Sequence, residues 1–146
     1  MTTGKLCGFD PTQEYFAGVS ADGRLKVWDV SPKKVHHQFT QSAHLQVNYT
    51  SMGWGPKDHP KGPIIALGTH VGDVFCWNVR QGTQMFHWKV EGPEHPVLDL
   101  CFSKNGSLFT CGESSFILQR DLASGKIIRK LKADKKVVSK IQLNTP

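Results

Sequence analysis

The sequence predicts an all-β chain built from repeated four-stranded antiparallel units, and three observations predict it. Related tetrads recur, Val27-Trp28-Asp29-Val30, Cys76-Trp77-Asn78-Val79 and Gln119-Arg120-Asp121-Leu122, with third positions at 29, 78 and 121. Two short apolar runs separated by turn residues precede each tetrad, and a more polar run follows it. The 14 Gly and 8 Pro among 146 residues supply the frequent turns that many short strands need. Self-similarity at a nearly fixed period marks a repeat architecture, in which one unit cannot bury its apolar face alone.

The elements follow in order. First strands are expected at 6–9, 49–54 and 97–102, closing on Phe9, Trp54 and Phe102. Turns follow at Asp10-Pro11, Gly55-Pro56 and Ser103-Lys104-Asn105-Gly106. Second strands are expected at 15–19, 64–68 and 108–112. The tight turn after them is clearest as Asp22-Gly23, a pair that tolerates the positive φ of a type I′ hairpin. The third strand carries the tetrad, and fourth strands fall at 35–39, 83–90 and 126–131. A last strand at 137–143 reads as the start of another unit.

Four strands in about 40–45 residues is the period of a β-propeller blade. The blades run approximately over 5–39, 47–90 and 97–132. An unrelated sandwich with evenly spaced strands is the alternative. Propellers have typically about 4–8 blades, so three blades plus one strand make an incomplete, open propeller. The expectation is a fragment, a truncated gene product, or a piece completed by the rest of a longer chain or by a partner.

These tetrads and their phasing resemble the WD-repeat family over essentially the whole chain. In that family a His, a Ser or Thr, a turn Asp and the Trp form a hydrogen-bonded relay within a blade. The resemblance places Ser20, Asp22, Trp28 and Asp29 at these structural positions in the first unit, and His44, Thr69 and Trp77 in the second. In the third it places Asp121, with Arg120 standing for the Trp and Ser114 for the turn Asp. Val71 stands where the second unit's Asp would be, so apolar packing is expected to outweigh the relay.

The first half is similar to the N-terminal region of the WD-repeat subunit of the small-subunit processome. The residues are Cys7-Gly8-Phe9-Asp10-Pro11, Tyr15-Phe16-Ala17, Asp22-Gly23-Arg24-Leu25-Lys26-Val27-Trp28, Ser42-Ala43-His44-Leu45, Gly53-Trp54-Gly55-Pro56 and Ile65-Ala66-Leu67-Gly68-Thr69 with Gly72. The resemblance implies a non-catalytic nucleolar scaffold for ribosome biogenesis and pre-rRNA processing. Its partners would be other protein subunits of a large assembly, with pre-ribosomal RNA as a further contact. The alternative is a WD-repeat adaptor of chromatin or ubiquitin-ligase machinery that recognises a peptide. That processome family carries a complete propeller and a helical C-terminal domain, for which 146 residues leave no room.

Other classes find little support. The sequence has no nucleophile elbow, phosphate-cradling glycine loop or paired-carboxylate signature, so no catalytic or cofactor-binding residue is expected. The Cys at 7, 76, 101 and 111 lack tight zinc spacing, and no His pairs with a ligand at metal spacing, so no metal is expected. No apolar run approaches the roughly 20 residues of a spanning helix, and the first five residues lack a signal-peptide core. No membrane contact is expected.

The net charge of +6 is confined to one end. Lys126, Arg129, Lys130, Lys132, Lys135, Lys136 and Lys140 follow residue 125 with only Asp134 against them, while residues 1–125 are neutral. Two readings stay open. These cations form a contact surface for RNA phosphates or an acidic partner, or they protect an exposed sheet edge whose Ile127, Ile128 and Leu131 are apolar anchors. No aromatic residue is interleaved, so any RNA contact would run through phosphate and be independent of sequence.

Overall fold

The structure, a computed structural model, describes residues 6–19, 24–30, 34–39 (backbone only), 48–57, 59–60, 62–91, 95–112 and 116–132. The first sheet contains β1 (Cys7–Phe9), β2 (Tyr15–Val19), β3 (Leu25–Asp29) and β4 (Lys34–Phe39). The second contains β5 (Tyr49–Trp54), β6 (Ile64–Thr69), β7 (Asp73–Asn78) and β8 (Thr83–Lys89). The third contains β9 (Val97–Phe102), β10 (Ser107–Gly112), β11 (Phe116–Asp121) and β12 (Ile127–Lys132). Each sheet is an antiparallel meander in chain order. The fold is therefore all-β, made of four-stranded antiparallel sheets, and no helix occurs among the described residues.

The repeat extends to single hydrogen bonds. The register shifts at the same place in each sheet, where the fourth strand sets one extra residue (His36, Met85 or Ile128) opposite the steps Val27 to Trp28, Cys76 to Trp77 and Gln119 to Arg120. Such an extra residue kinks the strand and sharpens its twist. The last tetrad residue then donates its amide to the residue just before the second strand. These bonds are Val30 N–H to Glu14 O (2.9 Å), Val79 to Pro63 (3.0 Å) and Leu122 to Gly106 (3.2 Å).

Period-two alternation decides which face each side chain takes. On the first sheet Tyr15, Ala17, Leu25 and Val27 face the second sheet and share a core with Tyr49, Ile65, Leu67, Phe75, Trp77 and Val79. The opposite face of the second sheet packs Ile64, Ala66, Val74 and Cys76 against Val97, Leu100, Leu108 and Leu122 of the third. The middle sheet is thus buried on both sides, and every residue of β6 is buried. A strand buried on both faces reads as a continuous apolar run, and Ile64-Ile65-Ala66-Leu67 does so. The first strands make the cross-sheet links. Trp54 Nε1 donates to Gly8 O (3.1 Å), and Ser51 Oγ to Val97 O (3.3 Å). At Gly68 a Cβ would stand 2.3 Å from Ser51 Oγ and 2.7 Å from Val97 Cβ, so only glycine lets the sheets approach this closely.

One expectation is corrected. Ile127, Ile128 and Leu131 are not anchors: they are 51%, 53% and 37% exposed. The third sheet's core ends at β11, and β12 overhangs it with all six residues exposed. The strand also begins at Ile127, one residue later than expected, leaving Lys126 in the preceding turn. Ser20, Asp22, Ser114, His44, Lys135, Lys136, Lys140 and the strand expected at 137–143 lie outside the described residues.

Candidate interaction surface

The turns after the three first strands are held by three different devices. Asp10 is buried, and its carboxylate accepts from Tyr15 N–H (2.8 Å), Thr12 N–H (3.1 Å) and the Thr12 hydroxyl. In the second sheet Gly55 N–H reaches Ile64 O (2.7 Å). In the third, Ser103 Oγ accepts from Ser107 N–H (3.1 Å), while Ser103 N–H donates to Ser107 O (2.8 Å). Together the turns frame a groove of about 500 Å³ lined by Pro11, Trp54, Gly55, Pro56, Lys57, Phe102, Ser103 and Lys104. That volume is in the range of ligand sites, roughly 300–1,000 Å³. Sequence reasoning singled out the closing aromatics Trp54 and Phe102 but had no signal that they converge across two sheets.

The expected structural positions have structural surroundings. Thr69 is buried, and its Oγ1 accepts from Asp73 N–H (3.1 Å) and Val71 N–H (3.4 Å), closing the turn into β7. Asn78 Oδ1 accepts from Gln81 N–H (3.1 Å), and Asp121 Oδ2 accepts from Ser124 N–H (3.1 Å) and Ser124 Oγ (2.9 Å). In the second and third sheets the third tetrad residue, Asn78 or Asp121, organises the following turn with its own side chain. The Ser124 hydroxyl bond, with the Ser124 and Ala123 amides, holds the Asp121 carboxyl below the usual carboxylate range. Trp77 lies in the core between the first two sheets. Trp28 is half-buried on the far face of the first sheet, 6.0 Å from the Phe16 ring, which in turn meets Phe9 at 4.9 Å. Asp29, beside Trp28, is half-buried at the end of β3.

Arg120 occupies the Trp position of the third sheet and faces the second. Its guanidinium lies 5.0 Å from the Trp88 ring centroid, and one terminal nitrogen donates to Gly125 O (3.1 Å). Trp88 stacks on Phe86 at 4.8 Å, and Gly125 (φ 75°) presses against both rings. Burial lowers the Arg120 pKa from its ordinary value, while the Cys76 thiol acts the other way. Its buried Nε has no hydrogen-bond acceptor in the described structure. We expect Arg120→Ala to cost about 2 kcal/mol, combining a desolvated cation–π contact with lost packing. Arg120→Met fills the same space without a buried charge, so it should stay within about 1 kcal/mol of the parent. Urea unfolding of both variants checks this pair.

A cluster absent from the sequence reading lies on the second sheet. Asp73 Oδ1 meets His87 Nε2 at 3.2 Å and Lys89 Nζ at 3.3 Å, and His87 stacks on Phe75 at 4.3 Å. Cross-strand pairing of β7 with β8 brings them together, which no motif signals.

The described members of the basic end lie along the third sheet's outer edge. Lys126, Arg129, Lys130 and Lys132 are exposed, and Lys130 Nζ lies 4.0 Å from the Phe116 ring centroid. Three of the four thiols are poorly disposed to nucleophilic chemistry. Burial pushes the Cys76 and Cys111 thiols up to about 12 and Cys101 to about 11. At pH 8 only about one Cys101 thiol in a thousand is then ionised. Cys7 is exposed. A disulfide-exchange reagent added to the native chain at pH 8 should therefore label Cys7 fast and the other three only on unfolding. Native thiols held above the unfolded value of 9.0 stabilise fully below pH 9. That contribution fades as pH rises toward about 12. Among the described residues no three His, Cys, Asp or Glu side chains converge as a metal site requires.

Residues 5–29 and 85–119 match the family model for the WD domain, G-beta repeat. Those two windows carry the WD40 repeat pattern. The second matched window begins on β8 and ends on β11, so a WD40 sequence repeat straddles two sheets. Human WD repeat-containing protein 43 is 28% identical over 161 aligned positions, covering 94% of this chain and 24% of that protein. The Drosophila melanogaster WD repeat-containing protein 26 homolog is 26% identical, covering 73% of this chain and 17% of its own length. The chain thus spans about a quarter or less of these relatives. The solved structures of U3-55K and of the RRP9 WD40 repeats superpose with a TM-score of 0.73 at 13% identity. Each covers 90% of this chain and 39% of its own. That likeness establishes the propeller-blade fold.

Proposed function

We propose that this chain is a non-catalytic WD-repeat scaffold mediating protein–protein assembly in nucleolar small-subunit ribosome biogenesis and pre-rRNA processing. The observation that carries the reading is alignment with WD repeat-containing protein 43 along 94% of the chain. The likeness of Ser42-Ala43-His44-Leu45 and Ile65-Ala66-Leu67-Gly68-Thr69 to the processome's WD-repeat subunit supports it. The three sheets act as blades over approximately 5–39, 47–90 and 97–132. The remaining blades come from the rest of a longer chain or from a partner. Each outer sheet presents a face that no other described sheet covers: Phe9, Phe16 and Trp28 at one end, Phe109 and Ile117 at the other. Lys126, Arg129, Lys130 and Lys132 offer pre-ribosomal RNA a phosphate-directed contact, so RNA affinity should fall steeply with salt.

The test is recovery of the tagged protein from cells with identification of its RNA and protein partners. Pre-ribosomal RNA and nucleolar proteins are expected. Their absence, with a diffuse cytoplasmic pattern, would sink the proposal and favour a peptide-recognising adaptor of another assembly.

A further inference from the structure

We propose that the groove framed by the three first-strand turns receives an acidic segment of a partner protein, seating an apolar side chain among Pro11, Trp54 and Phe102. This goes beyond the scaffold role, because it names where a partner docks and what chemistry it brings.

Three sets of observations carry it. The groove's apolar walls come from different sheets and are fixed in place. Trp54 is pinned by its indole bond to Gly8 O (3.1 Å), and Pro11 follows the buried Asp10. Phe102 packs against the core between the second and third sheets. A site held by rigid elements loses little freedom on binding.

The second set concerns polar groups already engaged. Gly55 N–H and Ser103 N–H are bonded within their own turns, and the Ser103 hydroxyl is taken up by Asn105 and Ser107. Both Asp10 oxygens are engaged by Tyr15 and Thr12. What the lining leaves for recognition is aromatic and proline surface together with the ammonium groups of Lys57 and Lys104.

The third is charge. Lys57 and Lys104 are exposed on the lining, one from the second sheet and one from the third, and among the described residues no carboxylate lines the groove. Two cations beside an apolar floor complement a segment with carboxylates flanking an apolar residue. Charge complementarity sets orientation and encounter rate, and apolar burial supplies affinity. A nucleic acid would need stacking faces along a continuous basic track, whereas this floor is a compact aromatic and proline patch.

The experiment uses the full chain and a fluorescently labelled synthetic peptide alternating Glu with Leu and Pro. Its counterpart carries Gln for Glu, and a labelled oligouridylate is the third probe. The acidic peptide should bind and the Gln counterpart should bind at least about tenfold more weakly. The double variant K57E/K104E should weaken acidic-peptide binding at least about tenfold. Both positions are exposed, so its melting temperature should match the parent's. Reversing Arg129 and Lys132 on β12 should change peptide affinity by less than about twofold, because a distant screened charge contributes little. Failure of the acidic peptide to bind would overturn the proposal, as would equal losses from the two charge reversals. It is also overturned if oligouridylate binding, and not peptide binding, depends on Lys57 and Lys104. Pre-ribosomal RNA could be missing from the purified assembly while the peptide result stands, so the two proposals fail separately.

Discussion

Trp77→Ala should destabilise the chain by about 3–5 kcal/mol, the range for truncating a large buried aromatic. Trp77 is 8% exposed and shares a core with Tyr15, Val27, Ile65 and Val79, so the loss falls where the first sheet meets the second. The surrounding strands are hydrogen-bonded meanders that relax only partly around the void, and the cavity adds to the lost transfer energy. In a chain of this size the loss should lower the melting temperature by roughly 10 °C. Trp28→Ala is the control. Trp28 holds the same tetrad position on a face that no described sheet covers, so its truncation should cost about 1 kcal/mol or less. Calorimetry of both variants separates burial from motif. Equal losses would mean that the tetrad Trp stabilises its own sheet, and that packing between sheets matters little.

Gly68→Ala should cost about 3 kcal/mol through overpacking. The added Cβ would stand 2.3 Å from Ser51 Oγ and 2.7 Å from Val97 Cβ and Cγ1. Val97 belongs to β9, and both Thr50 and Ser51 donate to its carbonyl, so yielding there breaks the hydrogen bonds joining β5 to β9. The substitution acts as a wedge between the second and third sheets. Gly106→Ala tests the specificity of that reading. Nothing lies within 4 Å of a Cβ at Gly106, where the burden is its φ of 87°. Denaturant titrations should show the wedge through a lowered midpoint and the turn variant through backbone strain of about 1 kcal/mol. A Gly68→Ala chain as stable as the parent would show that the two sheets can separate freely.

The sequence carried the fold because the fold is periodic. Tetrads, closing aromatics and turns recur in one order, and the recurrent extra residue of the fourth strand lies opposite the first and second tetrad residues. Sheet edges were less legible. Lys126 and Ile127 look alike to a strand pattern, and only pairing with Arg120 of β11 starts the strand at Ile127. Burial on the outer strands was not legible. Ile127, Ile128 and Leu131 are apolar, yet they lie beyond the core, because exposure depends on which sheet faces which. The groove was invisible for a related reason. Pro11, Trp54, Phe102 and the two lysines are spread over 94 positions of chain, and no local rule brings them together. Arg120 shows a third limit. By itself it reads as a degenerate tetrad, and its partner Trp88 lies on a different sheet.

The middle sheet, covered on both faces, has a consequence for how the chain comes apart. Where units contact only their neighbours, stability is a sum of unit and interface energies, and the end units, with one interface each, are lost first. Amide exchange should therefore be slowest on β6 and β7 and faster toward β1 and β12. A partner that caps either open face would slow exchange from that end inward. The same gradient lets docking of such a partner be read out as the firmness of the sheet it caps.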